Sequence, residues 1–215
     1  MPLLLSDLDD TILDRAGAFA LWTSTFVDAW DLPSDAPAWI AEQDHEGRRP
    51  RAELFALVRE RFGLSASVED LARAFYRDFP PLFKCDDEVR ASLVGARSQG
   101  WRIAIVTNGS PAQELKILAA GLDQLVDAWC ISGVEGCRKP DRRLLEIAAE
   151  RCLESLDGAW FIGDSADADV GAAAAAGLFS IWLRRGRTWP RRDYSPTLQS
   201  DSFPEAMGLL PAPAV

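Results

Sequence analysis

Two aspartates separated by one leucine follow the first apolar run of the chain. The run covers residues 3–6, and Asp7 and Asp9 come directly after it. Paired carboxylates can divide the work of a nucleophile and a proton carrier, or they can share a cation. An isolated pair of this kind is equally well explained as a turn capped by an aspartate side chain.

Three later stretches shift that balance, because each also carries polar groups, two of them directly after an apolar run and the third before a proline that precedes a predicted helix. They are, in chain order, Thr107 to Gly109, then Lys139, then Asp164 with Asp169. The first offers a hydroxyl and backbone N–H groups that can hold an anion. Lys139 is one of only three lysines in the chain. Taken singly, a lysine beside a proline is a surface residue and an aspartate after a strand is a helix cap.

The elements that must position these groups are short buried strands separated by helices. Apolar runs predict strands at 3–6, 103–106, 128–131, 160–162 and 180–183. Helical patterns occupy 88–99, 112–120, 141–152 and 167–176. This alternation predicts an α/β fold, a doubly wound parallel sheet of about five strands. All four polar stretches are then expected at one edge of that sheet, in one crevice.

Several carboxylates in one crevice repel each other. They tolerate this proximity only if a cation is shared or one of them is protonated. Oxygen ligands, together with waters and a substrate phosphate, suit Mg²⁺. The sequence therefore predicts a magnesium site at this edge.

A long insertion separates the first strand from the rest of the predicted sheet. Residues 15–85 show aromatic and aliphatic residues at helical spacing and no strand pattern. We therefore predict a catalytic core of 1–14 and 86–215 and an all-α cap of 15–85, placed as a lid over the carboxyl edge. Ser67 and Asp70 resemble a helix cap and its capping-box partner. His45, Arg48, Arg49 and Arg51 are candidate substrate contacts in the cap, although a solvated loop is the more common role of such a stretch.

Composition restricts the class of partner. A formal charge of −10 argues against broad nucleic-acid binding. The first residues do not resemble a secretory signal and no window is long enough for a membrane helix, so we expect a cytoplasmic protein. We also expect it to be a monomer or a homodimer. The cysteines do not form a zinc pattern and are expected to be reduced. The chain from Gly186 is expected to be irregular, with the arginines of 184–192 forming a solvated surface.

As a set, the polar stretches resemble the four motifs of the haloacid dehalogenase superfamily, in the right order. These stretches are DLDDT at 7–11, TNG at 107–109, KP at 139–140 and GDSADAD at 163–169. The insertion resembles the small helical (C1-type) cap of that superfamily. Ser6, where an aromatic residue is common, and Asp10, where glycine is frequent, depart from the pattern without touching a catalytic group.

The resemblance implies a Mg²⁺-dependent phosphatase that acts on small phosphorylated metabolites. It makes Asp7 the nucleophile that forms an aspartyl-phosphate, and Asp9 the general acid and then the general base. The metal ligands would be the carboxylates of Asp7 and Asp164 and the backbone carbonyl of Asp9. The other implied roles are phosphate binding by Thr107, Asn108, Gly109 and Lys139, and support of the metal shell or of Lys139 by Asp169. Dehalogenating members lack the aspartate two residues after the nucleophile, because a leaving halide needs no proton.

Three alternatives remain open from the sequence. A sugar phosphomutase would pass the same phosphoryl group to a sugar instead of to water. A receiver-type signalling module also gathers acids, a threonine and a lysine at strand ends, but it is much shorter and has no helical insertion. A catalytically idle relative would keep the fold for binding, although all the proposed catalytic positions are filled.

Overall fold

The structure, a computed structural model, describes residues 1–213. The chain divides into two compact units, a core of Met1–Leu13 with the described chain from Lys84 onward, and a helical unit of Asp14–Phe83. The strands of the core are β1 Leu3–Ser6, β2 Arg102–Thr107, β3 Ala128–Ile131, β4 Trp160–Gly163, β5 Phe179–Leu183 and β6 Leu198–Ser200. The helical unit contains α1 Arg15–Ala29, α2 Ala36–Asp44, α3 Arg51–Phe62 and α4 Val68–Asp78. The helices of the core are α5 Asp87–Ser98, α6 Gln113–Ala119, α7 Ser132–Glu135, α8 Arg143–Cys152, α9 Gly171–Ala176 and α10 Phe203–Gly208.

The sheet is parallel throughout the described chain, with the strand order β3-β2-β1-β4-β5-β6. The order reverses at β1, which lies between β2 and β4 although it comes first in the chain. In doubly wound sheets, ligands bind at the carboxyl ends of the strands beside such a reversal. The predicted α/β class and doubly wound parallel sheet are confirmed.

Burial explains why the first residues form a strand of this kind. All four residues of β1 are buried, and Leu3 and Leu5 pack in a cluster with Val106 of β2 and Phe161 of β4. Side chains of α8 and α9 complete the cluster. Strands covered on both faces are expected to be continuously apolar, as β1 is until Ser6.

Aromatic side chains form the core of the helical unit. Phe75 of α4 lies against Trp22 of α1 and against Phe79, with ring centroids 4.9 and 4.6 Å apart, and Phe55 of α3 lies 5.8 Å away. Aromatic pairs at these separations contribute beyond their buried area. The predicted cap of α4 is confirmed, because Ser67 accepts a hydrogen bond from the backbone nitrogen of Asp70 at 3.1 Å. The Asp70 carboxylate, however, accepts from the Ser67 hydroxyl and not from its backbone.

Three features of the elements differ from the sequence prediction. The sheet has a sixth strand, β6, which pairs in parallel with β5, and α10 follows it in a region expected to be irregular. The predicted helix 141–152 begins at Arg143, because the Asp141 carboxylate caps the backbone nitrogen of that residue. The predicted helix 167–176 begins as a π-helical turn, Ala166–Val170, that continues into α9.

Within residues 1–213, none of the helices is long and apolar enough to cross a membrane.

Candidate active site

The nucleophile candidate Asp7 is fixed by the strand that it follows. Its backbone nitrogen donates to the carbonyl oxygen of Ile162 at 3.0 Å, which continues the pairing of β1 with β4 by one residue. The Ser6 hydroxyl donates to the Asp7 carbonyl oxygen at 2.9 Å. The chain then turns, since the Leu8 carbonyl accepts from the backbone nitrogens of Ile12 and Leu13 at 3.0 Å each. This turn holds the two aspartates at the end of the central strand.

Lys139 joins the first and the last of the acidic stretches. Its Nζ lies 2.6 Å from Asp7 Oδ1 and 2.6 Å from Asp169 Oδ1, and the lysine is 2% exposed. Asp169 is also held by the backbone nitrogen of Ser165, which donates to its Oδ2 at 2.8 Å. A buried ammonium that donates to two carboxylates is a charge-assisted contact of the strong class. The geometry makes Asp169 the anchor that directs Lys139 toward Asp7.

Asp164 completes the acidic cluster at the end of β4. One carboxylate oxygen from each of Asp7, Asp164 and Asp169 lies within 4.8 Å of the others. The Asp164 backbone carbonyl accepts from Trp182 Nε1 at 2.8 Å and from Arg187 Nη2 at 2.7 Å. Arg187 also donates to the Asp164 carboxylate at 2.9 Å.

Burial and crowding change the proton affinities of these groups. Burial, with the neighbouring carboxylates of Asp169 and Asp164, raises the pKa of Asp7 to about 8, against the attraction of Lys139. Burial and Asp169 raise the pKa of Asp164 to about 6, against the attraction of Arg187. Burial opposes the charge of Lys139, but Asp169 and Asp7 raise the pKa of that ammonium above its usual value. The cluster thus carries more negative charge than its own cations compensate.

The uncompensated negative charge of this cluster is a property expected of a metal site. Three carboxylates converge against the ammonium of Lys139 and the guanidinium of Arg187. Hard carboxylate oxygens are the donor type that Mg²⁺ takes, and a divalent cation would relieve their mutual repulsion. The residues fit a magnesium ion.

Asp9 faces a different set of partners, on α6. Lys116 Nζ lies 2.8 and 2.6 Å from its two carboxylate oxygens. Gln113 Nε2 donates to Asp9 Oδ2 and to Thr107 Oγ1, at 2.9 Å in both cases. Since the Thr107 hydroxyl accepts from Gln113, its own proton stays available for an anion in front of β2.

Two polar groups of the loop after β2, the Asn108 side chain and the Gly109 amide, form hydrogen bonds within the protein. The Asn108 side chain accepts from the Lys139 backbone nitrogen at 2.9 Å and donates to the Lys139 carbonyl at 3.0 Å. The Gly109 backbone nitrogen donates to Ser132 Oγ at 3.0 Å. Asn108 therefore holds the lysine loop in place, and the amide of Gly109 is engaged by α7.

The cap candidates bond mainly to each other and to their own unit. Arg51 is 10% exposed and pairs with the buried Asp44 at 2.5 Å, and Arg15 pairs with the same carboxylate at 2.5 Å. Arg49 donates to the backbone oxygen of Gln43 and lies 3.1 Å from His45 Nε2. Arg48 pairs with Glu46 on the surface. In this arrangement Arg51 serves the interior of the helical unit.

Four side chains at the site are not among the residues that the sequence predicts there. The sequence places Lys116 and Gln113 only within a predicted helix, although the scarcity of lysine is a signal for Lys116. The arginine-rich stretch 184–192 predicts a solvated surface, whereas Arg185 pairs with Asp10 at 2.9 Å and Arg187 pairs with Asp164. Nothing in the local composition distinguishes these two arginines from their neighbours.

Comparison with known proteins shows the family to which the chain is similar. The model of the haloacid dehalogenase-like hydrolases matches residues 1–177. A phosphoserine phosphatase of Thermus thermophilus is 30% identical, over 93% of this chain and 95% of that protein.

Solved structures share the fold over nearly the whole length. The putative hydrolase YfnB of Bacillus subtilis, in a structure bound to magnesium, is 25% identical with a TM-score of 0.77 over 97% of each chain. A putative β-phosphoglucomutase of Thermotoga maritima has a TM-score of 0.73 at 18% identity, over 96% of each chain. The second of these likenesses concerns the fold alone.

Proposed function

The chain belongs to the haloacid dehalogenase-like hydrolase family, and from that premise we propose that it is a magnesium-dependent phosphatase of small phosphate monoesters. The observation that carries the proposal is the contact of the Lys139 ammonium with both Asp7 and Asp169, beside Asp164. This arrangement presents a carboxylate nucleophile in surroundings that offset the charge of an incoming phosphate.

Asp7 supplies the nucleophile of the first step. A carboxylate oxygen of Asp7 forms a bond to phosphorus while the bond from phosphorus to the ester oxygen breaks. Asp9 transfers a proton to the leaving oxygen, so that an alcohol departs and an aspartyl-phosphate remains. Asp9 then takes a proton from water, the water oxygen attacks phosphorus, and inorganic phosphate leaves with Asp7 restored.

The remaining groups bind the phosphate and balance charge. Thr107 donates its hydroxyl proton to a phosphoryl oxygen, since its own acceptor position is taken by Gln113. Lys139 stays between Asp7 and Asp169, where it attracts the phosphate to the nucleophile. The backbone amide of Asn108 donates to a phosphoryl oxygen, whereas the amide of Gly109 is engaged by Ser132.

The carboxylates of Asp7 and Asp164, with the backbone carbonyl of Asp9, would hold Mg²⁺. When bound, this ion supplies positive charge that stabilises the phosphoryl oxygens and permits two ionised aspartates to stay close. Asp169 contributes by holding Lys139 and the Ser165 amide.

The acid at position 9 favours oxygen leaving groups over halides. Asp9 lies two residues after Asp7, and its carboxylate is held by side chains of α6. Cleavage of an ester leaves an alkoxide that needs a proton, whereas a halide does not. A phosphatase therefore explains this residue better than a dehalogenase.

The experiment compares phosphate release from an aryl phosphate by the full chain, by Asp7→Asn and by Asp157→Asn. Asp157 is an exposed aspartate and serves as the matched control. We expect release that requires Mg²⁺, a loss of at least about 10³-fold in Asp7→Asn, and no change in Asp157→Asn. Equal rates for the first two proteins would overturn the assignment of the nucleophile.

A sugar phosphomutase is the second candidate, because the same aspartyl-phosphate can pass its phosphoryl group to a sugar. Incubation with a hexose phosphate distinguishes the two. Net release of inorganic phosphate supports the phosphatase, and an isomeric hexose phosphate without net release supports the mutase. A panel that begins with phosphoserine, the substrate in the name of the Thermus relative, then narrows the substrate class.

A further inference from the structure

Lys116 is the second buried lysine of the core, and it binds the second aspartate of the pair. It is 7% exposed, and its ammonium reaches both carboxylate oxygens of Asp9 at 2.8 and 2.6 Å. Burying an ammonium is costly unless it is paired with an opposite charge. The partner of this lysine is the residue that the proposed mechanism uses to move protons.

Gln113 lies one helical turn before Lys116 and connects Asp9 to the phosphate-binding side of the site. Its amide nitrogen donates to Asp9 Oδ2 and to Thr107 Oγ1, at 2.9 Å each. Residues three positions apart on a helix face the same way, so α6 presents both donors to one carboxylate. The carboxylate of Asp9 thus receives three contacts from a single helix.

We propose that Lys116 and Gln113 are positioning residues of the reaction, which fix the carboxyl group of Asp9 and couple its placement to that of Thr107. The inference rests on the proposed function, since it concerns the proton carrier of that reaction. Lys116 and Gln113 do not touch the substrate in this account. They act through Asp9.

The same contacts serve both halves of the reaction. In the ionised form, Asp9 accepts from Lys116 and Gln113 while it takes a proton from the attacking water. Uptake of that proton gives the neutral form of Asp9. In this form the carboxyl group still accepts hydrogen bonds from α6, and its new O–H donates to the next leaving oxygen. A displacement of about 1 Å at a reacting group can cost about 10²-fold in rate, so such fixation has a measurable value.

The leaving group separates a positioning role from a merely structural one. A dinitrophenolate leaves without a proton, whereas an alkoxide must be protonated as it departs. Loss of a positioned acid therefore slows alkyl phosphates far more than dinitrophenyl phosphate. Loss of general structure slows both substrates alike.

The experiment measures kcat/KM with Mg²⁺ for glycerol phosphate and for 2,4-dinitrophenyl phosphate. The test variants are Lys116→Met and Gln113→Met, and Asp9→Asn gives the full effect of losing the acid. The matched controls are Lys84→Met, at the exposed third lysine, and Glu114→Gln, at an exposed position of α6. Thermal unfolding of each protein reports whether the variant is folded.

We expect Lys116→Met to lose at least about 10-fold more activity on the alkyl ester than on the dinitrophenyl ester, in the pattern of Asp9→Asn. Gln113→Met should also lose more activity on the alkyl ester than on the dinitrophenyl ester, by a smaller factor. Lys116→Arg should recover part of the activity lost in Lys116→Met. The double variant Asp9→Asn with Lys116→Met should be no slower on the alkyl ester than Asp9→Asn alone. The two controls should match the unaltered chain.

Two results would overturn the inference. One is an equal loss on both esters in folded Lys116→Met, or in Gln113→Met if the lysine variant does not fold. The other is a double variant whose losses multiply. If the unaltered chain releases phosphate from neither ester, the proposed function itself fails and the inference fails with it, so the two failures are distinguishable.

Discussion

Arg187 holds Asp164 at both its main chain and its side chain. The same guanidinium nitrogen lies 2.7 Å from the Asp164 backbone oxygen and 2.9 Å from its carboxylate. Trp182 reaches the same backbone oxygen from β5. The segment that follows β5 therefore orients a proposed ligand of the magnesium ion.

Replacement of Arg187 by methionine should weaken activation by magnesium. Partners that orient metal ligands typically contribute 10- to 100-fold in affinity or activity, and this arginine is partly exposed, so we expect the half-saturating Mg²⁺ concentration to rise by about 10-fold. Phosphate release measured against Mg²⁺ concentration checks this. Arg192→Met, at an exposed position of the same segment, is the control. An unchanged Mg²⁺ dependence in Arg187→Met would contradict the role assigned to this contact.

Gly163→Ala should damage the site without changing any charged group. A Cβ at this position would lie 2.3 Å from Asp169 Oδ2 and 2.5 Å from its Cγ, so the carboxyl group must leave its place beside Lys139. We expect a loss of about 10²-fold in kcat/KM, as for other displacements of about 1 Å.

Gly95→Ala is the matched control for that substitution. Gly95 lies inside α5, and an added Cβ would meet no atom within 4 Å. Activity should be unchanged, and the free energy of unfolding should rise by about 0.5–1 kcal/mol because alanine favours a helix. Full activity in Gly163→Ala would contradict the close approach of residue 163 to the Asp169 carboxyl group.

The buried thiols should resist alkylation in the folded protein. Burial raises the pKa of Cys130 and of Cys152 to about 11, so both stay protonated at pH 8. The thiolate is the reacting species, and Cys137 is better exposed. Iodoacetamide at pH 8, followed by mass spectrometry, should label Cys137 first, and Cys130 and Cys152 only after unfolding.

The raised pKa values of Cys130 and Cys152 predict that the folded protein loses stability in alkali. In the unfolded chain these thiols release protons near pH 9, whereas in the folded protein they keep them up to about 11. The folded state thus binds more protons across this interval, and the free energy of unfolding must fall as pH rises from 9 to 11. Cys130→Ala with Cys152→Ala should flatten that part of the pH profile; a profile of unchanged slope would argue against the raised pKa values.

Phe75→Ala should destabilise the helical unit. Phe75 is 4% exposed and its ring lies within 6.4 Å of the rings of Phe19, Trp22, Phe55 and Phe79. Truncation of a buried phenylalanine typically lowers the free energy of unfolding by about 3–5 kcal/mol, and we expect a loss of that size here. Urea unfolding followed by tryptophan fluorescence measures it. The neighbouring Tyr76→Ala, at a partly exposed ring, should cost much less. Similar losses in the two variants would mean that the aromatic cluster is not the core of this unit.

The sequence predicts the strand ends well because one physical rule governs them. Buried parallel strands read as short apolar runs, and whatever follows each run must lie at the same edge of the sheet. Asp7, Thr107 and Asp164 all follow this rule. The sixth strand escapes it, because Leu198–Ser200 is three residues long and has no apolar run to detect.

The contacts on α6 and after β5 were not predictable in the same way. Periodicity indicates a helix at 112–120, but it does not say that Lys116 meets a carboxylate more than a hundred positions earlier in the chain. Arg187 belongs to an arginine-rich stretch whose composition resembles a solvated surface. Its pairing with Asp164 depends on the path of the chain after β5, which local composition does not encode.

The central position of β1 has a consequence for how the chain matures during translation. This strand emerges from the ribosome before its two neighbours, which begin at Arg102 and Trp160. Pairings between segments so distant in sequence form slowly, and unpaired strand edges are sites of aggregation. Until β4 has been synthesised, the segment that carries Asp7 has one open edge and no acidic partner from β4. Under the proposed mechanism the nascent chain lacks a complete active site during that interval, which is also when its open strand edge most favours aggregation.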